Sequence, residues 1–508
     1  MYIAYSSKDC YKTLLTCIKH HNKSDFYLLD MKKTIWTLLA LTLFVQTNWS
    51  QKSIEILKKE ANTSIEKERA TYKKIALNIW DYAELGYKET NSSNLLAQQL
   101  KENEFTVATG VAGIPTAFVA TYGSGYPVIG ILAEYDALPG LSQDTSPTKT
   151  LIPNKNNGHG CGHHLFGTGS IAAGIAIKNL MKEGKLKGTI KVFGCPAEEG
   201  GSGKVYMVRE GLFNNVDVVL HWHPSDNNSV TYTSALANKS AKFRFYGISS
   251  HAAASPEQGR SALDAVEALD YMVNMMREHI PQETRIHYVI TNGGKAPNVV
   301  PEFAEVYYYV RNPEKTIAVN VFDRVAKAAE GAAMGTGTRS EYEIIGGTHD
   351  LLINKTLADA IQINLEKVGG VQYTPEEIAF ATKIQSSFID KKPPITNAAK
   401  VNPMHIEKNL GSTDVGDVSY TVPTVGIETA TWVPGTGAHS WQAVACGGTD
   451  IGIKGMLVAA KTLSYMAIDL FTNPSLVQKA KEEFKSSKGD YQYKPLLGDR
   501  KPALNYRD

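Results

Sequence analysis

Ligand-type side chains recur at the ends of strand-like apolar runs, and this recurrence limits the possible folds more than any other feature. Four such runs lead into carboxylates or imidazoles: Val128–Leu132 into Glu134 and Asp136, Gly188–Gly194 into Glu198 and Glu199, Val216–Leu220 into His221 and His223, and Thr424–Glu428 into a glycine-rich loop with His439. Open α/β sheets bind ligands at the carboxyl ends of their strands. The pattern therefore predicts a doubly wound α/β domain with one polar site at that edge.

The middle of the chain has a different order of elements. From about Ala237 to Ile345 the apolar periodicity predicts strand, helix, strand, strand, helix and strand, an order that suits a small α+β sandwich. This segment contains His251 but no second group of ligand-type residues. We therefore expect a lid or dimerisation domain over 237–346, inserted between two parts of a catalytic domain, 52–236 and 347–480. A C-terminal tail follows over 481–508.

The stretch Asn156–Gly167 places one thiol and three imidazoles among glycines, directly before a helix-like apolar segment. A helix N-terminus favours anions and would bias Cys161 towards the thiolate that binds metals. The alternative is a glycine-rich turn around a buried, inert cysteine. The ligand-type residues at the later strand ends favour a metal site.

Composition indicates a globular protein with no charge field for nucleic acid or a membrane surface. The 508 residues are 43% hydrophobic and 20% charged, with a net charge of +2, which fits two or three domains. Cys10 and Cys17 lie in an N-terminal segment that we expect to be absent from the mature protein. The remaining Cys161, Cys195 and Cys446 form no disulfide framework.

The N-terminal region resembles a mis-set start, over 1–30, followed by an export signal over 31–51. Met31-Lys32-Lys33 is a positive segment, Ile35–Val45 is apolar, and Asn48–Gln51 is a plausible processing site. The apolar run is too short to span a bilayer. We expect a soluble periplasmic or secreted product; the alternative is a buried N-terminal helix.

Seven short motifs together resemble one metallopeptidase family. They are Gly-His-Gly-Cys-Gly-His, Glu-Glu-Gly-Gly, Trp-His-Pro, Ser-His-Ala-Ala-Ala-Ser-Pro, Pro-Asn-Val-Val-Pro, Gly-Ser-Thr-Asp-Val-Gly-Asp-Val-Ser and Gly-Ala-His-Ser. The series, from about Trp80 to Phe471, resembles the aminoacylase/carboxypeptidase family, and within it the amidohydrolase branch with a cysteine metal ligand. This resemblance implies a zinc-peptidase-like catalytic domain that holds two divalent metal ions, zinc or manganese, and is interrupted by a dimerising lid.

The resemblance also assigns roles to residues of the site. It implies that Cys161 bridges the two metals, that Glu198 is the general base, and that the other ligands are His163, Glu199, His223 and His439. His223 fits better than His221 because it lies six residues after Asp217, as the family spacing requires. His164 stands where the branch usually has Asp, so the roles of His164, Glu134 and Asp136 stay open.

The expected substrate contacts lie partly in the lid. The resemblance implies that His251 and Asn298 polarise the substrate carbonyl, commonly across a dimer interface. Gly437 is a further expected contact. No residue clearly matches an arginine that would bind a substrate carboxylate; Arg311 is a candidate, and it fits a structural residue at a strand end equally well.

The chemistry expected of this ligand set is metal-assisted hydrolysis of an amide. A metal pair can acidify water and polarise a carbonyl, while Glu198 transfers the proton. The resemblance favours a p-aminobenzoyl-glutamate-like N-acyl amino acid; a dipeptidase or aminoacylase specificity is the alternative. A closed structural zinc site would not use Glu198, and a cysteine-nucleophile hydrolase would not explain the Glu198–Glu199 pair or His439. We expect a homodimer, or a heterodimer with a related subunit.

Overall fold

A computed structural model describes residues 52–390, 392–405 and 411–507. The predicted start and signal segments, 1–30 and 31–51, lie outside these residues. The chain divides into two compact units, Met1–Lys59 and Glu60–Asp508, and the architecture below is that of the second. The domain boundaries proposed from the sequence stay predictions.

Two large sheets organise this unit, and two short strands form a separate pair. Its strands are β1 Thr106–Thr109, β2 Phe118–Ser124, β3 Val128–Glu134, β4 Leu138–Pro139, β5 Asn157–Gly158, β6 Gly188–Cys195, β7 Val218–Ser225, β8 Ser229–Val230, β9 Ala237–Tyr246, β10 Arg285–Asn292, β11 Phe303–Asn312, β12 Arg339–Thr348 and β13 Thr424–Ala430. The short pair is β4 with β5, and the central sheet has the order β1-β2-β6-β3-β7-β13-β8. Its middle strands β6, β3, β7 and β13 are parallel, whereas β1, β2 and β8 pair antiparallel at the edges.

Helices accompany both sheets. They are α1 Arg69–Tyr82, α2 Thr90–Glu102, α3 His163–Lys182, α4 Glu198–Gly201, α5 Gly203–Arg209, α6 Ala262–Met276, α7 Lys315–Thr336, α8 Lys355–Val368, α9 Pro375–Ser386, α10 Val415–Ser419, α11 Trp441–Gly447, α12 Asp450–Thr472 and α13 Pro474–Lys488. Residues 60–67 are also helical. The helix α3 packs on β3, β6 and β7 and against α12. Within the described residues only α12 is long and apolar enough to cross a membrane, but 89% of its most apolar window is buried, as in a core helix.

The second sheet contains the elements predicted for the middle segment. Its strands are antiparallel in the order β10-β11-β9-β12, and α6 and α7 join them in a βαββαβ sequence. Buried side chains such as Phe243, Val306 and Phe322 form its own core. An α/β fold with an inserted βαββαβ segment is therefore confirmed.

The parallel strands bring the predicted polar residues to one edge. Glu134 is the last residue of β3, and Asp136 lies two residues further along the chain. Glu198 lies three residues after Cys195, the last residue of β6. One detail of the prediction is wrong: His221 and His223 do not follow a strand but lie inside β7. Since residues two apart in a strand face the same side, both imidazoles point to one face of the sheet.

Candidate metal centre

Glycines let two loops approach each other closely beside the sheet. Gly162 has φ +77°, and a Cβ there would lie 2.6 Å from Pro224 Cβ, so only glycine allows the Cys161 turn to meet β7. The backbone N–H of His439 donates to the Gly160 carbonyl over 2.8 Å, and His439 itself has φ 57°. These contacts place the thiol of Cys161 between β7 and the loop of His439.

Two triads of ligand-type atoms share the Cys161 thiol. Cys161, His163 and His223 form one, and Cys161, Glu199 and His439 form the other; within each, the ligand atoms lie within 4.8 Å of one another. Cys161 Sγ lies 3.4 Å from His223 Nε2, and Glu199 Oε1 lies 3.0 Å from His439 Nε2. The structure thus brings together all five side chains that the sequence resemblance named as ligands.

Several buried atoms in these triads or next to them have no aligned hydrogen-bond partner among the described residues. They include His163 Nε2, Glu199 Oε1 and Glu134 Oε2. Glu134 Oε2 is 3.2 Å from His163 Nε2, and Glu199 Oε1 is 3.0 Å from His439 Nε2, yet neither pair is aligned as a hydrogen bond. Buried polar atoms are almost always satisfied, so a convergent unsatisfied group fits a bound ion. Thiolate, imidazole and carboxylate are the donor types that zinc accepts.

Asp136 connects ligands of both triads. Its Oδ1 accepts from His163 Nδ1 over 2.8 Å, and its Oδ2 accepts from the Glu199 backbone N–H over 2.9 Å. The first bond leaves Nε2 of His163 for the site. Burial opposes a charged His163, but Cys161, Asp136 and Glu134 together raise the pKa of this imidazole well above its ordinary value. Asp136 thereby holds the imidazole of His163 and the main chain of Glu199 in place.

Glu198 lies beside the triads without belonging to either. A carboxylate oxygen of Glu198 lies within 4.8 Å of ligand atoms of His163 and Glu134. Burial, with Glu134 and Glu199 nearby, raises the pKa of Glu198 well above the usual carboxyl value. A carboxyl with a raised pKa is suited to take and return a proton near neutral pH.

Lys204 is a component that the sequence analysis missed. Its fully buried Nζ lies 2.6 Å from both Glu134 Oε1 and Asp414 Oδ1. This cation compensates two buried carboxylates, and its pKa is raised by them although burial opposes the shift. Asp414 belongs to a noted motif, but Lys204 sits in an unremarkable helical stretch. Hence no local signal identified it.

The thiol of Cys161 behaves differently from the expectation at a helix N-terminus. Cys161 is only 8% exposed, and burial raises its pKa above the ordinary cysteine value. Burial thus outweighs the lowering effect of the nearby His163, and a metal cation beside the sulfur would favour the thiolate. Cys195 and Cys446 are also buried and free, as predicted.

Two other imidazoles are set apart from the triads. His164 is buried, and its Nε2 lies 3.1 Å from the Gly447 carbonyl oxygen. It therefore supports the contact between α3 and α11. His221 is also buried, and burial lowers its pKa to about 3, which keeps it neutral.

A cavity of about 710 Å³ opens onto the centre. Arg311 lines it with Tyr309 and Tyr307, all three from β11, and Arg311 Nε is buried with no acceptor among the described residues. Gly437, His251 and Asn298 are exposed and are not among the described residues that line this cavity, although Ala438 and His439 beside Gly437 are. The Ala252 N–H donates to the Asn298 carbonyl over 3.0 Å, so His251 and Asn298 belong to one exposed part of the inserted segment.

The fold and the centre define a metal-dependent hydrolase of amide bonds, and sequence comparison identifies its family. Residues 130–440, more than half of the chain, match the sequence pattern of the family described as "Peptidase family M20/M25/M40". The chain belongs to this family.

Individual relatives agree with that assignment. The chain is 42% identical over 447 residues to one of the subunits of p-aminobenzoyl-glutamate hydrolase from Escherichia coli (strain K12), covering 83% of this chain and 93% of the relative. It is 29% identical over 453 residues to Xaa-Arg dipeptidase of Mus musculus, covering 86% and 94%.

Solved structures share the fold at low sequence identity. A dinuclear metal binding peptidase of the M20 family from Bacillus subtilis has a TM-score of 0.55 at 17% identity, covering 80% of this chain and 99% of the other. An aminobenzoyl-glutamate utilization protein from Klebsiella pneumoniae has a TM-score of 0.56 at 19% identity, covering 80% and 97%.

Proposed function

We propose that this chain hydrolyses the amide bond of an N-acyl amino acid at a centre of two divalent metal ions. Cys161, His163 and His223 would hold one ion, and Cys161, Glu199 and His439 the other. The observation that carries the proposal is the pair of triads that share one sulfur atom beside a separate carboxylate, Glu198. Zinc and manganese both suit this mixture of sulfur, nitrogen and oxygen ligands.

The protein's own groups supply the remaining chemistry. When bound, the ions polarise the amide carbonyl and acidify water, which corrects the poor reactivity of both. Glu198 accepts the proton of the attacking water and returns it to the leaving nitrogen. Asp136 keeps His163 and Glu199 in place during both transfers. Lys204 neutralises Glu134, so that the negative charge next to Glu198 is limited.

The proposed substrate is p-aminobenzoyl-glutamate or a similar N-acyl amino acid. The relative that shares 42% identity acts, by its name, on p-aminobenzoyl-glutamate. Arg311 provides a guanidinium whose buried Nε has no acceptor in the described part of the chain, as a site for a substrate carboxylate requires.

A substrate panel tests this assignment. Metal-loaded protein is assayed with p-aminobenzoyl-glutamate, with other N-acyl amino acids, and with dipeptides that end in arginine. We expect the first to have the highest kcat/KM. Preference for the arginine dipeptides would instead place the chain with the dipeptidases.

Metal removal separates this chemistry from a cysteine nucleophile. Treatment with a chelator should abolish hydrolysis, and zinc or manganese should restore it. Cys195→Ser is the control variant, since Cys195 is equally buried but lies in neither triad, and it should keep both activity and chelator sensitivity. Activity that survives complete metal removal would favour the nucleophile.

We also propose that the protein acts as a dimer with its lid reaching a partner's site. His251 is exposed in a loop of the lid and is directed by the Ala253 and Ala254 N–H groups, which donate to its Nδ1. The edge strand β10 and the helix α6 expose apolar side chains, among them Val289 at 56% and Tyr271 at 67%. Such a surface fits burial against another subunit. Two different subunits of the Escherichia coli hydrolase are relatives of this chain, which makes a related partner the alternative to a second copy.

Mixing two inactive variants tests the arrangement. His251→Ala protein is mixed with Glu198→Ala protein under conditions in which subunit exchange is shown independently. If His251 acts on a partner's site, hybrid dimers contain one intact site and part of the activity returns. If it acts within its own chain, every site still lacks one residue and none returns.

We further propose export, on the sequence pattern of 31–51 alone. The mature N-terminus should lie near Ser50 to Lys52. Recovery of the intact Met1 from cells would contradict the proposal.

A further inference from the structure

The last residues of the described chain return to the metal centre. After α13 ends at Lys488, residues 489–507 alternate between turns and irregular backbone, with no helix or strand among them. We name this segment the strap. The sequence analysis gave it no role beyond that of a tail.

Contacts along its length fix the strap to the fold. Leu497 is 2% exposed and packs in a cluster with Tyr206 of α5. Arg209, also on α5, donates from Nη1 to the Arg500 carbonyl over 2.7 Å, and Arg500 Nη1 donates to the Ile345 carbonyl of β12. The strap thus joins the helix after the Glu198–Glu199 turn to a strand of the lid sheet.

The strap ends on the main chain of a proposed metal ligand. Tyr506 Oη donates to the Glu199 carbonyl over 2.9 Å, and Arg507 Nη2 donates to the same oxygen over 2.6 Å. The fit of Tyr506 is close, because a Cβ at Gly86 would lie 2.2 Å from its hydroxyl. Both donors therefore lie within hydrogen-bond distance of the Glu199 carbonyl oxygen.

The backbone of Glu199 is not helical, and its carbonyl is held by side chains of the strap. Its φ is −69° and its ψ is 68°, and Ala197 before it has φ 55°. Asp136 holds the N–H of Glu199, and the strap holds its carbonyl. Each side of the residue is thus fixed by a separate part of the chain.

We propose that the strap is a working part of the active site, in which Tyr506 and Arg507 are positioning residues for the ligand Glu199. The proposal rests on the metal centre proposed above. Groups that orient metal ligands commonly contribute about 10- to 100-fold to metal affinity. Loss of the strap contacts should therefore lower the affinity for the ion that Glu199 binds. It should also shift the position of that ion when it is bound.

The test measures zinc affinity by chelator competition on full-length protein, with circular dichroism to confirm folding. Arg507→Gln should weaken binding of one ion by about 10- to 100-fold. Arg507→Lys should recover part of this, since it keeps one charged donor. Tyr506→Phe, which removes a neutral donor, should cost a few-fold, and Lys501→Gln should have no effect because this exposed strap cation does not contact the site.

Kinetics at saturating zinc provide a second readout. A misplaced Glu199 should lower kcat with little change in KM. Arg507 also lines the cavity, and its Nε has no acceptor among the described residues. The test must therefore distinguish the positioning of Glu199 from direct contact between Arg507 and the substrate. A rise in KM alone, with wild-type zinc affinity in Arg507→Gln, would overturn the positioning role and make Arg507 a substrate contact.

The outcomes distinguish this inference from the function on which it rests. If wild-type protein binds no zinc or manganese, the metal centre fails, and the strap role fails with it. If wild-type protein binds two ions, and Arg507→Gln and Tyr506→Phe bind them equally well, only the strap role is refuted.

Discussion

Replacement of Asp136 by Asn should disrupt both halves of the metal centre while leaving every proposed ligand in the chain. Asp136 accepts from the His163 imidazole over 2.8 Å and from the Glu199 N–H over 2.9 Å. An asparagine has a single acceptor oxygen, so one of these donors would face an NH₂ group instead. A lost hydrogen bond to a charged acceptor costs about 1.5–3 kcal/mol. Since a tenfold change in affinity is about 1.4 kcal/mol, metal affinity should fall about 10- to 100-fold.

Chelator competition on purified Asp136→Asn protein measures this loss directly. Asp217→Asn is a matched control, because Asp217 is also buried and accepts from a backbone N–H, that of Val128, over 2.6 Å, but at the opposite end of the strands. The control should keep wild-type metal affinity. Unchanged affinity in Asp136→Asn, or an equal loss in both variants, would refute the argument that Asp136 orients the ligands.

Three further outcomes follow from individual side chains. Glu198→Gln should lower kcat about 10²- to 10⁴-fold with metal content retained, whereas Glu199→Ala should lose metal; metal loss in both would mean that the two carboxylates share the ligand role. Arg311→Gln should raise KM for p-aminobenzoyl-glutamate more than for a neutral N-acyl amide, and equal effects on both would remove Arg311 from carboxylate binding. In the lid, burial raises the pKa of Asp270 from 3.8 to about 6. Because the folded state then binds this proton more tightly than the unfolded state, stability is lost as pH rises through 6. The melting temperature of Asp270→Asn, relative to that of wild type at the same pH, should thus be higher at pH 8 than at pH 4. A difference between the two proteins that does not change with pH would contradict this.

Most of the fold was predictable because apolar periodicity reports it locally. The order strand, helix, strand, strand, helix and strand predicted for the middle segment is the observed order of β9, α6, β10, β11, α7 and β12. Strand ends were less accurate: the run ending at Leu220 continues to Ser225, since β13 pairs with β7 beyond His221. Pairing with a distant strand leaves no local mark in the sequence.

The predicted ligands were recoverable because each stands in a short motif. The residues that support them were not. Lys204 acts through carboxylates that are far away in the sequence, and Tyr506 and Arg507 reach Glu199 across more than 300 residues of chain. The stabilisation that Asp136 gives to His163 was also undetermined, because a polar residue after a strand fits a solvated turn equally well.

Counting metal ions in two variants tests the central claim, which is that Cys161 belongs to both halves of the centre. Wild-type protein loaded with zinc and freed of excess metal should contain two ions per chain by elemental analysis. His223→Ala should retain about one, because His223 belongs to one triad only, whereas Cys161→Ala should lose most of both. Two retained ions in Cys161→Ala, or one ion per chain in the wild type, would contradict the shared thiolate.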